Sequence, residues 1–339
     1  MLNNTESVSK QMFDEFFSIQ KNLEKQINSL PEKEILENPE YLGVLKETAH
    51  GQALEIAGLA NDSAGKDRVK RVLRGHPFHQ EILLGSQFIR AAYEKKYGYA
   101  GDKDLMLMIC RDDWTGDSTY ARLNNRVFLH WPAAEAVRQR AASFYESFKK
   151  LPQGSRVLSV GCGPAVEVFR FIRDFPERQV QFYLIDHDAH TIEYLNRADR
   201  GGQAVVKQGN LFKFTRESLD CLCNGDKVDL AYCSGVFDYI PDEFTASMAA
   251  VIFNQVKPGG RMMIGNYLSM SEENPHQPHM KLMMELYSEW NLIYRTPEQI
   301  AGFADGLDIP HTSFSVDNEY FGNRKVTGGA IGFLNACKA

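Results

Sequence analysis

The chain is poor in the features that tie proteins to membranes, nucleic acids or metals. No apolar run within its 339 residues is long enough to span a bilayer, and Met1 to Lys10 is too polar for a signal peptide. The expectation is a cytoplasmic protein with no membrane partner. There is no excess of positive charge either. A formal net charge of −6 argues against a nucleic-acid backbone as partner, since phosphate binding needs a basic surface. The basic run Lys66 to Arg74 reads as a solvated helix face. Cysteine is sparse, at Cys110, Cys162, Cys221, Cys223, Cys233 and Cys337, and no two form a C-x-x-C pair. The histidine pairs His76/His79 and His276/His279 lie beside Pro77, Pro275 and Pro278, which favours loops over a helical ligand face. The thiols read as reduced, with no metal centre. Internal repeats and low-complexity linkers are absent.

One further absence is informative. A strand pattern at Val157, Leu158 and Val160 runs into Gly161-Cys162-Gly163-Pro164-Ala165. A helix-like segment and a second strand, Phe182 to Ile185, follow and end on Asp186. This strand, turn, helix, strand and acid order is what a nucleoside-binding α/β sheet needs. Gly161 and Gly163 permit a tight turn and close approach of backbone to ligand. Asp186, at the carboxyl end of the second strand, can accept hydrogen bonds from both ribose hydroxyls. A dinucleotide fold places a third glycine three residues after the second. Val166 occupies that position, so the turn suits a ligand without phosphates.

With 43% hydrophobic and 24% charged residues the chain can bury one large core, or a core and a smaller helical domain. Phe13, Phe16, Phe17, Ile19, Leu23, Ile27 and Leu30 follow helical spacing up to Pro31. Helical signal continues through residue 75, so this part reads as a helical layer or dimerisation element, and a homodimer is compatible with it. Another helix is expected over Glu135 to Leu151, and the α/β domain from Arg156. Further strands are expected at Gln203 to Val206, Val228 to Cys233 and Arg261 to Tyr267, the last entered through a tight Lys257-Pro258-Gly259-Gly260 turn. Two final strands, at His311 to Val316 and Ala330 to Cys337, complete a seven-stranded sheet. The expected architecture is α/β: a Rossmann-like sheet with helices on both faces over residues 151–339, preceded by a helical lid domain over 1–150.

The G-x-G-x-A turn resembles motif I of the class I S-adenosylmethionine (SAM) methyltransferases. That motif usually carries an acid two residues before its first glycine, where Ser159 stands here. Three more segments narrow the resemblance: Tyr93 to Asp102 (YEKKYGYAGD), Ala136 to Arg140, and Cys233 to Tyr239. With Trp290 to Arg295 they resemble bacterial proteins named after biosynthesis of 3-hydroxypalmitic acid methyl ester. That group includes methionine S-methyltransferases and SAM cyclases or lyases that form azetidine-2-carboxylate. The resemblance implies SAM as cofactor, held by Gly161, Gly163 and Asp186. His187 either touches ligand or, like Asp188, caps the next helix. Asn210 and Leu211 lie where the adenine is held, an amide at its edge and an apolar side chain on its face. Ser234 and Asp238 are expected to face the sulfonium, and Tyr239 to offer it an aromatic face. Tyr93, Tyr97 and Tyr99, spaced by glycines, have the composition of a shaped lid. Arg138 and Arg140 are two apart on one helix, so only one turns inward as a carboxylate clamp; Arg138 is carried as the candidate.

Three functions follow from these residues. The leading one is methyl transfer to a small carboxylate or thioether metabolite in specialised metabolism or signalling. The second is intramolecular cyclisation of SAM itself with release of methylthioadenosine, and the third is SAM binding without turnover, as a regulator.

Overall fold

The structure is a computed structural model that describes residues 2–199, 201–269, 277–307, 314–317 and 331–339. The chain divides into two compact units, residues 1–135 with 276–291, and residues 136–275 with 292–339.

The first unit is helical. It holds α1 (Leu2–Asn28), α2 (Glu32–Glu37), α3 (Pro39–Leu59), α4 (Ser63–Arg74), α5 (Gln87–Glu94), α6 (Lys103–Arg111) and α7 (Thr119–Leu129). Ile27, Ile35, Leu45, Ala49, Leu123 and Val127 form one apolar cluster across α1, α2, α3 and α7. Beside it runs a buried polar line. Tyr120 donates to Gln20 Oε1 at 2.8 Å, and Gln20 Nε2 donates to Gln52 Oε1 at 3.0 Å. The line ends at Gln52 Nε2, which has no hydrogen-bond partner among the described residues.

The expectations for the histidines need correction. His76 is buried against Asp14, and His79 sits in a π-helical turn, Phe78–Leu83, within hydrogen-bond reach of the Tyr287 carbonyl. His279 lies in a helix, not a loop. His276 lies outside the described residues, as do His311 to Ser313 and Ala330.

Helix α8 (Pro132–Lys149) begins in the first unit and continues into the second. Its 136–149 portion belongs with the sheet because Phe144 and Phe148 are fully buried against Tyr232, Phe182 and Phe333. The division into compact units falls between residues 135 and 136. The strands are β1 (Arg156–Val160), β2 (Gln181–Asp186), β3 (Ala204–Gln208), β4 (Val228–Cys233), β5 (Val256–Tyr267), β6 (Phe314–Asp317) and β7 (Ile331–Cys337). They form a 7-stranded sheet in the order β3-β2-β1-β4-β5-β7-β6. Neighbours from β3 to β5 are parallel, and β7 runs antiparallel between β5 and β6.

Side-chain alternation explains why helices cover both faces. Leu158, Val160, Tyr183, Ile185, Ala231 and Cys233 point into one core. That core also takes Leu219 from α11 (Arg216–Leu222), and Ala249 and Ile252 from α12 (Asp242–Phe253). Phe182, Tyr232 and Phe333 face the other way, toward α8 and α9 (Val166–Asp174). Helix α10 (Ala189–Ala198) follows β2, α13 (Gln277–Ser288) joins the first unit, and α14 (Pro297–Ala301) precedes the last strands. The Lys257 to Gly260 turn lies inside β5 as an irregularity. Val228 pairs with Val256 and Leu230 with Arg261, so the extra residues bulge out, with Gly259 at φ +76°.

The loop between β4 and α12 is fixed by Arg295, which is 1% exposed. Its Nη1 donates to the Phe237 carbonyl and to Asn266 Oδ1, both at 2.7 Å, and its Nη2 to the Ile240 carbonyl at 2.5 Å. Nε pairs with Asp242 at 2.8 Å. Replacing Arg295 by Leu leaves three buried acceptors without donors. At roughly 1 kcal/mol or more each, the loss is about 3 kcal/mol or greater. Denaturant unfolding followed by circular dichroism checks this, and a loss below about 1 kcal/mol would contradict the assignment.

Candidate active site

Strand order reverses between β1 and β4, and in open α/β sheets the crevice at such a reversal, beyond the carboxyl ends, is where ligands bind. The residues gathered there come from the turn after β1, the end of β2 and the loop after β4.

Three successive features shape the first turn. Gly161 has φ +63°, Gly163 φ +52° and Ala165 φ +46°, a conformation that disfavours side chains. A Cβ on Gly161 would overlap Val236 Cγ2. That glycine is thus required by the β4 loop packed onto it. Gly163 is different, because a Cβ there would meet no atom within 4 Å. Its open side is what the turn presents, while its amide is turned to Asp186.

Asp186 is 5% exposed and organises this corner. Its Oδ2 accepts from the Gly163 amide at 2.8 Å and its Oδ1 from the Asp188 amide at 3.0 Å. His187 Nδ1 stands 3.3 Å from Oδ1, and that contact raises the imidazole pKa above its ordinary value. A carboxylate has about four acceptor positions, so the two backbone bonds and the His187 contact leave capacity for a ligand hydroxyl, chiefly at Oδ2. Asp188, not His187, caps α10, accepting from the His190 and Thr191 amides. Asn210 is exposed, and its Oδ1 caps the short turn that follows by accepting from the Phe212 amide at 2.9 Å. Leu211 is 7% exposed and packs into the main core.

The loop after β4 carries the charged part of the site. Ser234 is half-buried, while Tyr239 is 41% exposed and so is not a core tyrosine. Asp238 is 2% exposed; its Oδ1 accepts from the Tyr267 amide at 2.7 Å, and its carbonyl accepts from the Ile293 amide at 2.7 Å. Burial pushes the Asp238 carboxyl up to about 7, against the opposing pull of Arg140. Of the two arginines expected on α8, Arg140 is the one turned inward. It is 8% exposed, with Nη1 3.6 Å from Asp238 Oδ2, whereas Arg138 is half-buried.

Sequence reasoning missed Glu167. It is buried on the first turn of α9, accepts from the Tyr232 hydroxyl at 2.6 Å, and has its pKa raised by burial. It puts a carboxyl beside the turn where Ser159, fully buried, does not. No spacing rule would have found it, although an acid two residues into an amphipathic helix after a glycine turn is a usable signal.

The three tyrosines lie in the first unit. Tyr93 packs edge-on to His79 and lies under the Arg74 guanidinium at 4.5 Å. Tyr97 donates to Asp104 at 2.9 Å. All three are half-buried, in a turn held by Gly98 at φ +88° and Gly101 at φ +81° and closed by Asp102 capping α6. Among the described residues no group of three or more His, Cys, Asp or Glu side chains could hold a metal ion, and no helix is long and apolar enough to cross a membrane.

The raised Asp238 pKa gives stability a defined pH dependence. In the unfolded chain this carboxyl loses its proton near 3.9, and in the folded chain it keeps it to about 7. Between those values the folded state binds more protons, so stability falls as pH rises, by up to about 1.4 kcal/mol per pH unit. Asp238→Asn keeps the acceptor for Tyr267 and removes the titration. The variant's unfolding free energy relative to wild type should therefore climb between about pH 4.5 and 7. A difference independent of pH would contradict the buried titration.

Residues 151–309 match the model of a family described as a methyltransferase domain. No curated protein matches the chain in sequence. Among solved structures the chain is similar to one described as a possible exported protein from Bordetella parapertussis, at 18% identity, covering 88% of this chain and 95% of that one with a TM-score of 0.53. It is also similar to the apo form of the S-adenosylmethionine-dependent methyltransferase SibL, at 13% identity, covering 98% and 96% of the two chains with a TM-score of 0.50. At these identities the likeness is one of fold. Residues 151–309 thus carry a methyltransferase domain, built on the Rossmann-like sheet and glycine turn described above.

Proposed function

We propose that the second unit binds SAM along the carboxyl edge of β1, β2 and β4 and uses it on a small molecule. The observation that carries this is the buried Asp186 carboxylate at the end of β2, oriented by two backbone amides with acceptor capacity left at Oδ2 for a ribose hydroxyl. Gly163 offers the open face of the turn, and Asn210 and Leu211 belong to the adenine side. Ser234, Asp238 and Tyr239 stand at the methionyl side, where SAM, when bound, supplies an electrophilic sulfonium. The protein's task is then to orient a nucleophile and exclude water. The reaction we favour is methyl transfer to a small carboxylate or thioether, in keeping with the resemblance to the 3-hydroxypalmitic acid methyl ester proteins.

Cyclisation to azetidine-2-carboxylate is a second reading, and Asp238 favours it. A carboxyl held up to about 7 is matched to accepting the proton that an α-ammonium must lose before its nitrogen can act as a nucleophile. Both products are accounted for: the four-membered amino acid and methylthioadenosine, with one proton released.

Mass spectrometry of the protein incubated with SAM separates the readings. S-adenosylhomocysteine appearing only with an added acceptor supports methyl transfer, and methylthioadenosine without any acceptor supports cyclisation. SAM bound but unchanged under both conditions leaves a regulator. Asp186→Ala is expected to weaken calorimetric SAM affinity by roughly 1.5–3 kcal/mol. Unchanged affinity in that variant would overturn the placement of the ribose.

A further inference from the structure

Arg74, the last residue of α4, is a cation whose donors lack acceptors. Its Nε and Nη2 are buried and have no hydrogen-bond partner among the described residues. Its Nη1 lies 2.9 Å from His79 Nε2, but the other neighbours of that ring leave it no lone pair to offer. Gln80 Nε2 donates to the Arg74 carbonyl at 2.7 Å and stands 3.3 Å from His79 Nδ1, so Nδ1 is the acceptor of the ring. His79 Nε2 then carries the proton and donates it to the Tyr287 carbonyl at 3.1 Å. Burial, with Arg74 beside it, lowers the His79 pKa to about 4, so the imidazole is neutral at physiological pH. Arg74 Nη1 thus meets an N–H. A buried guanidinium in this state is costly, because desolvation is offset only when its donors are filled.

The guanidinium is nevertheless held in one plane. The Tyr93 ring lies beneath it at 4.5 Å and packs edge-on to His79 at 5.2 Å. The edge left without acceptors, Nε with Nη2, is one that takes a planar pair of oxygens bidentately. Glu289 comes near this edge and does not fill it. Its Oε1 is 3.3 Å from Nη2, within ion-pair range but not aligned as a hydrogen bond. The same carboxylate is drawn to Lys70 at 3.2 Å and to Lys95 at 4.0 Å, so three cations share one acid. Against the upward push of burial, Lys70, Arg74 and Lys95 hold its carboxyl below the ordinary value. Glu285, one turn earlier on α13, is already paired with Lys66. Glu289 has φ +53° and Lys95 φ +49°, a left-handed backbone that side chains disfavour. The group the cations call for is therefore a carboxylate, supplied here by a strained residue of the chain and shared too widely to close the fork.

We propose that Arg74, Lys70 and Lys95 form a binding site for a small carboxylate ligand, with Glu289 as its exchangeable resident. The two ligand oxygens take Nε and Nη2 of Arg74, and Glu289, whose side chain is 37% exposed, turns out to solvent. Every residue of the site belongs to the first unit, so the inference does not rest on the proposed SAM site. The resident group is a carboxylate and the open edge is planar, which favours a carboxylate over a phosphate.

Calorimetric titration with sodium acetate, at constant ionic strength balanced by chloride, tests the site in wild type and two variants. Glu289→Gln removes the charge of the resident at nearly constant volume, and it should bind acetate about tenfold or more tightly than wild type does. Adding Arg74→Lys keeps the positive charge and removes the fork, so that gain should be lost again, by about tenfold. Equal acetate affinity in wild type and Glu289→Gln would overturn the proposal, as would a gain that survives Arg74→Lys. Inorganic phosphate, titrated in the same way, should bind Glu289→Gln more weakly than acetate does, and tighter binding of phosphate would overturn the carboxylate assignment. If the variants do not fold, wild-type crystals soaked in sodium acetate decide. Acetate on Arg74 Nε and Nη2 with Glu289 displaced supports the site, and Glu289 in place with no acetate on Arg74 overturns it.

Discussion

A guanidinium that water does not reach holds the functional end of this molecule together. Arg295 is fixed between two carbonyls of the β4 loop, the Asn266 amide oxygen near the end of β5, and Asp242 at the start of α12. Arg295 and its partners come from four separate segments, so the loop has one conformation compatible with all of them. The Ile293 amide adds a further tie to the Asp238 carbonyl. Everything else at the carboxyl edge is measured from that loop. Val236 sets the glycine turn after β1, Gly235 sets Arg140, and Asp238 stands between Arg140 and the Tyr267 amide.

Charge at this edge is arranged under the constraint that buried ions need partners. Arg295 has five donors, and four bonds account for most of them. Arg140 is the contrasting case, with a weak ion pair and an open donor. Glu167 and Asp238 are both shifted toward their neutral forms by burial, which limits how fully they neutralise Arg140. Two arginines of similar burial in one unit therefore have opposite character. One is satisfied and holds the chain in place; the other keeps an open donor among the described residues. The Asp186 corner shows the same logic in milder form, since backbone amides orient the carboxylate without exhausting its acceptors.

Much of the fold was legible because it rests on local signals. Apolar runs for β1, β2 and β4, punctuated by Gly161 and Gly163, mark strand and turn directly, and Asp186 falls at the end of β2 as its position requires. The alternation that puts Phe182 and Tyr183 on opposite faces is likewise a matter of period. What escaped depends on contacts distant in sequence. Arg295 reads as one more basic residue until Phe237 and Ile240 are seen around it. The choice between Arg138 and Arg140 turns on which side of α8 meets the sheet, and that is settled by Phe144 and Phe148 further along the helix. A tight turn is expected at Lys257 to Gly260 with the strand starting at Arg261, but these residues lie inside β5 as a bulge, because Val256 pairs with Val228, a tertiary contact. Tyr97 carries the composition of a lid, yet its hydroxyl bonds Asp104 of its own unit, a partner that glycine spacing does not reveal.

Central to the proposed function is that the corner formed by Gly163 and Asp186 receives the ribose of a nucleoside. A crystal structure of the protein with S-adenosylhomocysteine tests it most directly. The predicted result is a ribose hydroxyl on the Asp186 carboxylate, with its amide bonds from Gly163 and Asp188 retained. Ligand bound elsewhere, or bound here with its ribose away from Asp186, would contradict it.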